Sequence, residues 1–229
     1  VIPVDMGILD FQPTEGVLNC RVGNGTADIS LGPAMTREQA TQAIMTGIQL
    51  VEQQKRQGVR LLATEEMGIG NTTTSSAVAS VLLSRDVIEM TGRGSGLSDK
   101  GLQRKIEVIK RAINCNHPDP SDPLDVLSQI GGFDIAGMCG VFLGGALYQV
   151  PVLADGFIST VAALCAVRLC PNAEKAVLAS HVSAEPAGRM ILDALGRLPL
   201  ITAQMRLGEG TGAVAAMPLL DMACAVYHD

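Results

Sequence analysis

The chain has 229 residues, 47% of them hydrophobic, with 17 basic against 23 acidic side chains and a formal net charge of −6. No dense Lys/Arg run offsets that balance, and with two Tyr, four Phe and no Trp the chain lacks the basic stripes and stacking platforms that nucleic-acid binding or an anionic membrane surface requires. No stretch offers about 18 uninterrupted apolar residues, and the opening VIPVDMGILD carries Asp and Pro where a leader needs a basic start, so the chain reads as a soluble, unexported, cytoplasmic protein with one core.

In chain order, residues 1–9 are expected as a buried strand ending at Asp5, and the Gly- and Asn-rich residues 23–34 as a loop. Thr36 and Gln39 form a capping-box signature for a helix over 37–57, closed by Gly58. A short strand at 59–63 stops at the acidic pair Glu65 and Glu66, and Met67–Thr74 turns into a helix at 75–83. A second glycine loop, 91–96, leads through Ser98 and Asp99 into a helix at 100–113. After the Pro-rich connection 116–123 come helices at 122–130 and 134–147, a strand at 150–154, a helix at 159–170 and a strand at 176–180. A helix at 185–196, a strand at 199–206 and a helix at 213–227 complete the chain.

Short apolar strands alternating with helices predict an α/β fold, a mostly parallel sheet with helices on both faces in a Rossmann-like three-layer arrangement. Ligands of such sheets bind at the carboxyl ends of the strands, where the glycine loops and acids fall. Six cysteines without a CxxC pair read as reduced thiols, and Cys115 beside His117 is at most half a metal site, so no metal is expected.

Three glycine loops precede helices: Gly68-Ile-Gly70-Asn71-Thr72-Thr73, Gly92-Arg-Gly94-Ser95-Gly96 and Gly208-Glu209-Gly210-Thr211-Gly212. Each is either a tight strand-to-helix turn or an anion cradle, since glycine lets backbone amides approach an anion and a helix amino terminus adds donors and partial positive charge. None matches the triphosphate loop GxxxxGK[ST], and the last does not fit the dinucleotide fingerprint. Glu209, flanked by two glycines, has no neighbouring side chain to cover it, so it can meet a ligand as a general base with burial to tune it, or simply open a helix. One of Glu65 and Glu66 should point into the same crevice and the other into solvent. Lys105 reads as the solvated face of its helix, or as a partner of a phosphate or of Glu66. Asp155 either accepts ribose hydroxyls or starts a turn, and His181 reads first as a structural hydrogen-bonding group.

Taken together, Glu65–Thr73, Gly131–Gly137, Leu153–Ser159 and Arg206–Ala213, with Gly32–Thr36, resemble in order the motifs of the nicotinate-nucleotide:dimethylbenzimidazole phosphoribosyltransferases, which build the lower-ligand nucleotide of cobalamin. The resemblance implies transfer of 5-phosphoribose from nicotinate mononucleotide to 5,6-dimethylbenzimidazole with inversion at C1′, in a homodimer without a cofactor. It makes Glu209, Glu66 and Lys105 the catalytic set. It gives the phosphate and ribose to Gly68, Gly70, Asn71, Thr72, Thr73, Gly94, Ser95 and Gly96, with Asp155, Ser183, Leu207, Gly208 and Gly210 nearby. It also implies that residues 1–229 are a single catalytic core without parts of a small helical domain at either end, and relatives often carry a histidine within the stretch Glu185–Gly188. Alternatives are another azole, purine or phenolic acceptor, or a noncatalytic nucleotide-binding module.

Overall fold

The computed structural model describes residues 1–228. Its centre is a parallel three-stranded sheet, formed by β3 (Leu62–Thr64), β4 (Val152–Ala154) and β5 (Val177–Ala179) in that order. Leu62 pairs with Val152 and Thr64 with Ala154, and the register continues with Ala154 on Ala179, so the three strands end level. A separate parallel pair, β1 (Val4–Asp5) and β2 (Leu18–Asn19), lies near the start of the chain.

Alternation along β4 explains the layers. Val152 and Ala154 join the main core with helices α6 (Phe133–Tyr148) and α7 (Gly156–Leu169), whereas Leu153 packs on the other face against Ala213 and Ala216 of α9 (Thr211–His228). Helix α7 is apolar all round because it is buried on all sides from Gly156 to Ala166. Around it stand α2 (Asn71–Leu83), α5 (Pro123–Ile130) and α8 (Gly188–Ala194), while α4 (Asp99–Asn116) packs on α2 and α5 with a short α3 (Val87–Met90) beside it. No helix among the described residues is long and apolar enough to cross a membrane.

Helix α1 (Arg37–Arg56) begins with the expected capping box, Thr36 accepting from the Gln39 amide at 3.2 Å while the Gln39 side chain accepts from Thr36 N–H at 3.0 Å. It packs on α6 at backbone contact. A Cβ on Gly140 would lie 1.9 Å from the Ile44 carbonyl oxygen, and one on Gly47 only 2.1 Å from that of Gly137.

Several elements differ from expectation. Val1–Pro3 are exposed, so the first strand is only two residues long, and Asp5 is buried by accepting from the amides of Gly7 and Ile8 and from Arg21. The strand expected at 199–206 is a single parallel bridge from His181 to Ile201, since Pro199 lacks the amide a ladder needs. Helix α2 starts at Asn71, four residues early, because Gly70 takes a left-handed φ of +83° and turns the chain at once. Asn71, Thr72 and Thr73 are thus the first turn of a helix.

Candidate active site

The level ends of the three strands carry three acidic groups, Glu65 and Glu66 after β3 and Asp155 after β4, with Gly208 and Gly210 of the third glycine loop against Glu65. Directly after β3, Glu65 and Glu66 are both half-buried. Solvation of one of the two, expected from strand alternation, does not occur, because β3 ends at Thr64 and alternation ends with it. Glu66 accepts from Asn71 at the start of α2, and the same Asn71 Nδ2 donates to Asp134 at 2.8 Å. Burial pushes Glu66 up to about 7, with the nearby Asp134 charge adding to the rise and the Asn71 hydrogen bond opposing it. Burial likewise pushes Glu65 up to about 8, with the neighbouring Asp155 carboxylate adding to the rise.

Asp155 follows β4 with its side chain fully buried. It starts the next helix from the N-cap position of α7, and its Oδ1 accepts from the Ala213 amide in α9 at 2.7 Å. His181, also buried, places Nδ1 4.0 Å from the same oxygen and 3.0 Å from Ser180 Oγ. The Ser180 hydroxyl donates to the Ala154 carbonyl at 2.7 Å, so His181 must carry its proton on Nδ1 to donate in turn. Burial holds its pKa below the ordinary value, which leaves it neutral.

Lys105 is 6% exposed, and its ammonium donates to Thr72 Oγ1 at 2.9 Å and to the Gly92 carbonyl at 3.1 Å. Its helix face is therefore the buried one, and the partner weighed for it, Glu66, is not the group it bonds. Burial lowers its pKa and the Glu185 charge opposes that fall. Glu185 accepts from the Gly94 amide at 3.1 Å and so ties the second glycine loop to the lysine. Ser183 accepts from the Glu185 amide at 3.3 Å, and Ser95 and Gly96 lie exposed on the outer turn of the loop.

Glu209 stands exposed on the third loop with a left-handed φ of +56°, between Gly208 and Gly210, both at +74°. The burial expected around it is not found. Positive φ at a residue with a Cβ is uncommon. Gly208 and Gly210 lie beside Glu65, where a Cβ on either would stand in ordinary contact at 3.6 or 3.8 Å. Met67, Ile69 and Leu207 are exposed on the same loops.

Read from the sequence, Glu66, Glu209, Lys105 and the loops belong to one end of the sheet, Glu65 is only the alternative to Glu66, and Asp134 and Glu185 are missed. The burial of Lys105 is readable from its spacing to Ile109 and Ala112, four and seven residues on, which mark the core face of α4.

The raised carboxylates make stability fall with pH. Glu65 and Glu66 ordinarily lose their protons near 4.5, as in the unfolded chain, but keep them in the folded chain to about 8 and 7. The folded state therefore binds more protons between these limits, and the stabilisation present at low pH is lost as pH rises through them. The urea midpoint is expected to be lower at about pH 8.5 than at about pH 6.5, and the decline should be smaller in a Glu65→Gln/Glu66→Gln protein.

Glycine loops and paired carboxylates gathered at the carboxyl ends of parallel strands define an α/β ligand-binding site at the edge of its sheet. The sequence model of the phosphoribosyltransferase family matches residues 1–229, and the chain belongs to that family. It is similar to the nicotinate-nucleotide–dimethylbenzimidazole phosphoribosyltransferases of Ruminiclostridium cellulolyticum, 52% identical over 229 residues, and of Acetivibrio thermocellus, 50% identical. Both matches cover 100% of this chain and 65% of the relative, so the chain spans just under two thirds of their length. The crystal structure of CobT from Thermus thermophilus superposes with a TM-score of 0.93 at 38% identity, covering 98% of this chain and 68% of that one.

Proposed function

We propose that the chain is the catalytic core of an enzyme that moves 5-phosphoribose from nicotinate mononucleotide to 5,6-dimethylbenzimidazole, releasing nicotinate and α-ribazole 5′-phosphate. The observation that carries this reading is the convergence of two parts at one sheet edge. An exposed carboxylate, Glu209, lies on a loop whose flanking glycines stand against Glu65 at the end of β3, and the chain leaves that same strand end through the glycine-flanked helix start Gly68–Thr73, where the buried cation of Lys105 donates to Thr72. The names of the similar enzymes support the same reaction.

The donor's 5′-phosphate and ribose lie against Gly68, Gly70, Asn71, Thr72 and Thr73, with Gly94, Ser95, Gly96 and Ser183 beside them. A helix amino terminus and a lysine suit a phosphate dianion. Glu66, bonded through Asn71 to the first turn of α2, orients the ribose. The acceptor base lies against exposed Met67 and Leu207, flat apolar contacts that fit an aromatic bicycle. Glu209 takes the azole N–H proton, and the freed nitrogen attacks C1′ from the face opposite the nicotinate. The C1′–N bond to the pyridinium breaks, its electron pair leaves with nicotinate, and the anomeric centre inverts from β to α. A cationic pyridinium is a good leaving group, so positioning and base catalysis supply what the step needs. The reading extends to a cytoplasmic homodimer.

Calorimetric titration tests the donor half. Nicotinate mononucleotide is expected to bind the chain, and Lys105→Met should weaken binding roughly tenfold to a hundredfold, the worth of a hydrogen bond to a charged group. Absence of binding at millimolar nucleotide, or an unchanged affinity in the variant, would remove Lys105 and its cradle from the phosphate site.

A further inference from the structure

Asp155 occupies the N-cap position of α7, the place where an aspartate ordinarily bonds the first amides of its own helix, yet it makes no such bond. Its Oδ1 reaches instead to the Ala213 amide, 58 residues away, in the first turn of α9. The residue ahead of α9 is Gly210, which has no side chain with which to cap it. The helix that carries the Glu209 loop thus takes its cap from the end of β4.

The other oxygen, Oδ2, is buried without a hydrogen-bond partner, a costly state for a carboxylate. Glu65 lies against Asp155, and a carboxylic acid on Glu65 supplies the missing donor. Glu65 also lies against Gly208 and Gly210, whose Cβ positions would stand 3.6 and 3.8 Å from it. Gly212 lets α9 descend onto this cluster, since a Cβ there would fall 1.9 Å from His181 Nδ1 and 2.9 Å from Asp155 Oδ1. The remaining charged or titratable neighbours are Glu66, whose charge interacts with Asp155, and the neutral His181. Glu209 sits between the two glycines held this way, in a backbone conformation that needs outside support.

We propose that Asp155 and Glu65 form a latch that positions the Gly208–Gly212 loop, and with it Glu209, through a hydrogen bond from Glu65 to Asp155 continued by that from Ala213 N–H to Asp155. The role of Glu209 in this statement rests on the proposed transfer reaction; the latch itself does not. When Glu65 loses its proton the two carboxylates repel, Asp155 loses its donor, and the α9 amino terminus loosens.

Amide hydrogen exchange over residues 208–214, followed by NMR, tests it. After the intrinsic pH dependence of exchange is divided out, Ala213 protection in the wild-type chain should fall roughly tenfold between about pH 6.5 and 9. In Glu65→Gln, whose amide donates at every pH, protection should stay level. Asp155→Ala should remove the protection and lower kcat of nicotinate release roughly a hundredfold, as misplacement of a reacting group does, with KM for the nucleotide within about twofold. Identical exchange profiles in wild type and Glu65→Gln would overturn the latch, and so would an Asp155→Ala loss lying wholly in KM. A wild-type chain that releases no nicotinate would overturn the reaction and leave the exchange profiles to decide the latch.

Discussion

Glu209→Gln is expected to slow nicotinate release by about 10²–10⁴-fold, the usual worth of a positioned general base. Glutamine keeps the size and hydrogen-bonding reach of the side chain but cannot take the azole proton. Its effect should therefore fall on kcat, with the KM of nicotinate mononucleotide little changed, because the donor cradle belongs to a different strand end. The side chain is exposed and held by its own backbone, so the substitution should leave the urea midpoint unaltered. A loss of activity without a loss of stability separates chemistry from folding.

The largest effect on stability is expected at a residue far from the site. Gly140→Leu would drive a side chain through the carbonyl oxygen of Ile44, which lies 1.9 Å from the position of a Cβ. The obstacle is the backbone of α1, so no rotamer change relieves it. Helix α1 has to move off α6 and give up the burial of Ala40, Ala43, Ile44 and Val51. Overpacking ordinarily costs about 1–3 kcal/mol and more where nothing can yield, so even Gly140→Ala should lose about 3 kcal/mol, and the leucine variant should fail to fold. Gly32→Ala is the control: nothing stands within 4 Å of its Cβ position, and its change should stay within about 0.5 kcal/mol by urea unfolding.

What the sequence makes legible follows from which signals are local. The capping box at Thr36 and Gln39, the alternation of strands with helices and the glycine loops depend on neighbours in the chain, and the structure has all three. Family membership is legible for the same reason, since each motif is a short run in a fixed order. The choice between Glu65 and Glu66 is not, because alternation holds only while a strand lasts and β3 stops one residue before them. The bond that Asp155 accepts from Ala213 is not legible either, because local spacing says nothing of a helix 58 residues on. The Lys105 environment depends on Thr72, Gly92 and Glu185, which three separate segments bring together.

The account stands most directly on transfer itself. Nicotinate mononucleotide and 5,6-dimethylbenzimidazole are incubated with the 229-residue chain and, in parallel, with Glu209→Gln, while proton NMR follows free nicotinate and the anomeric proton of the product. The account predicts base-dependent nicotinate release, a product of α configuration, and the near-disappearance of both in the variant. Release that is equal in the two proteins, a β-configured product, or no release at all would contradict it.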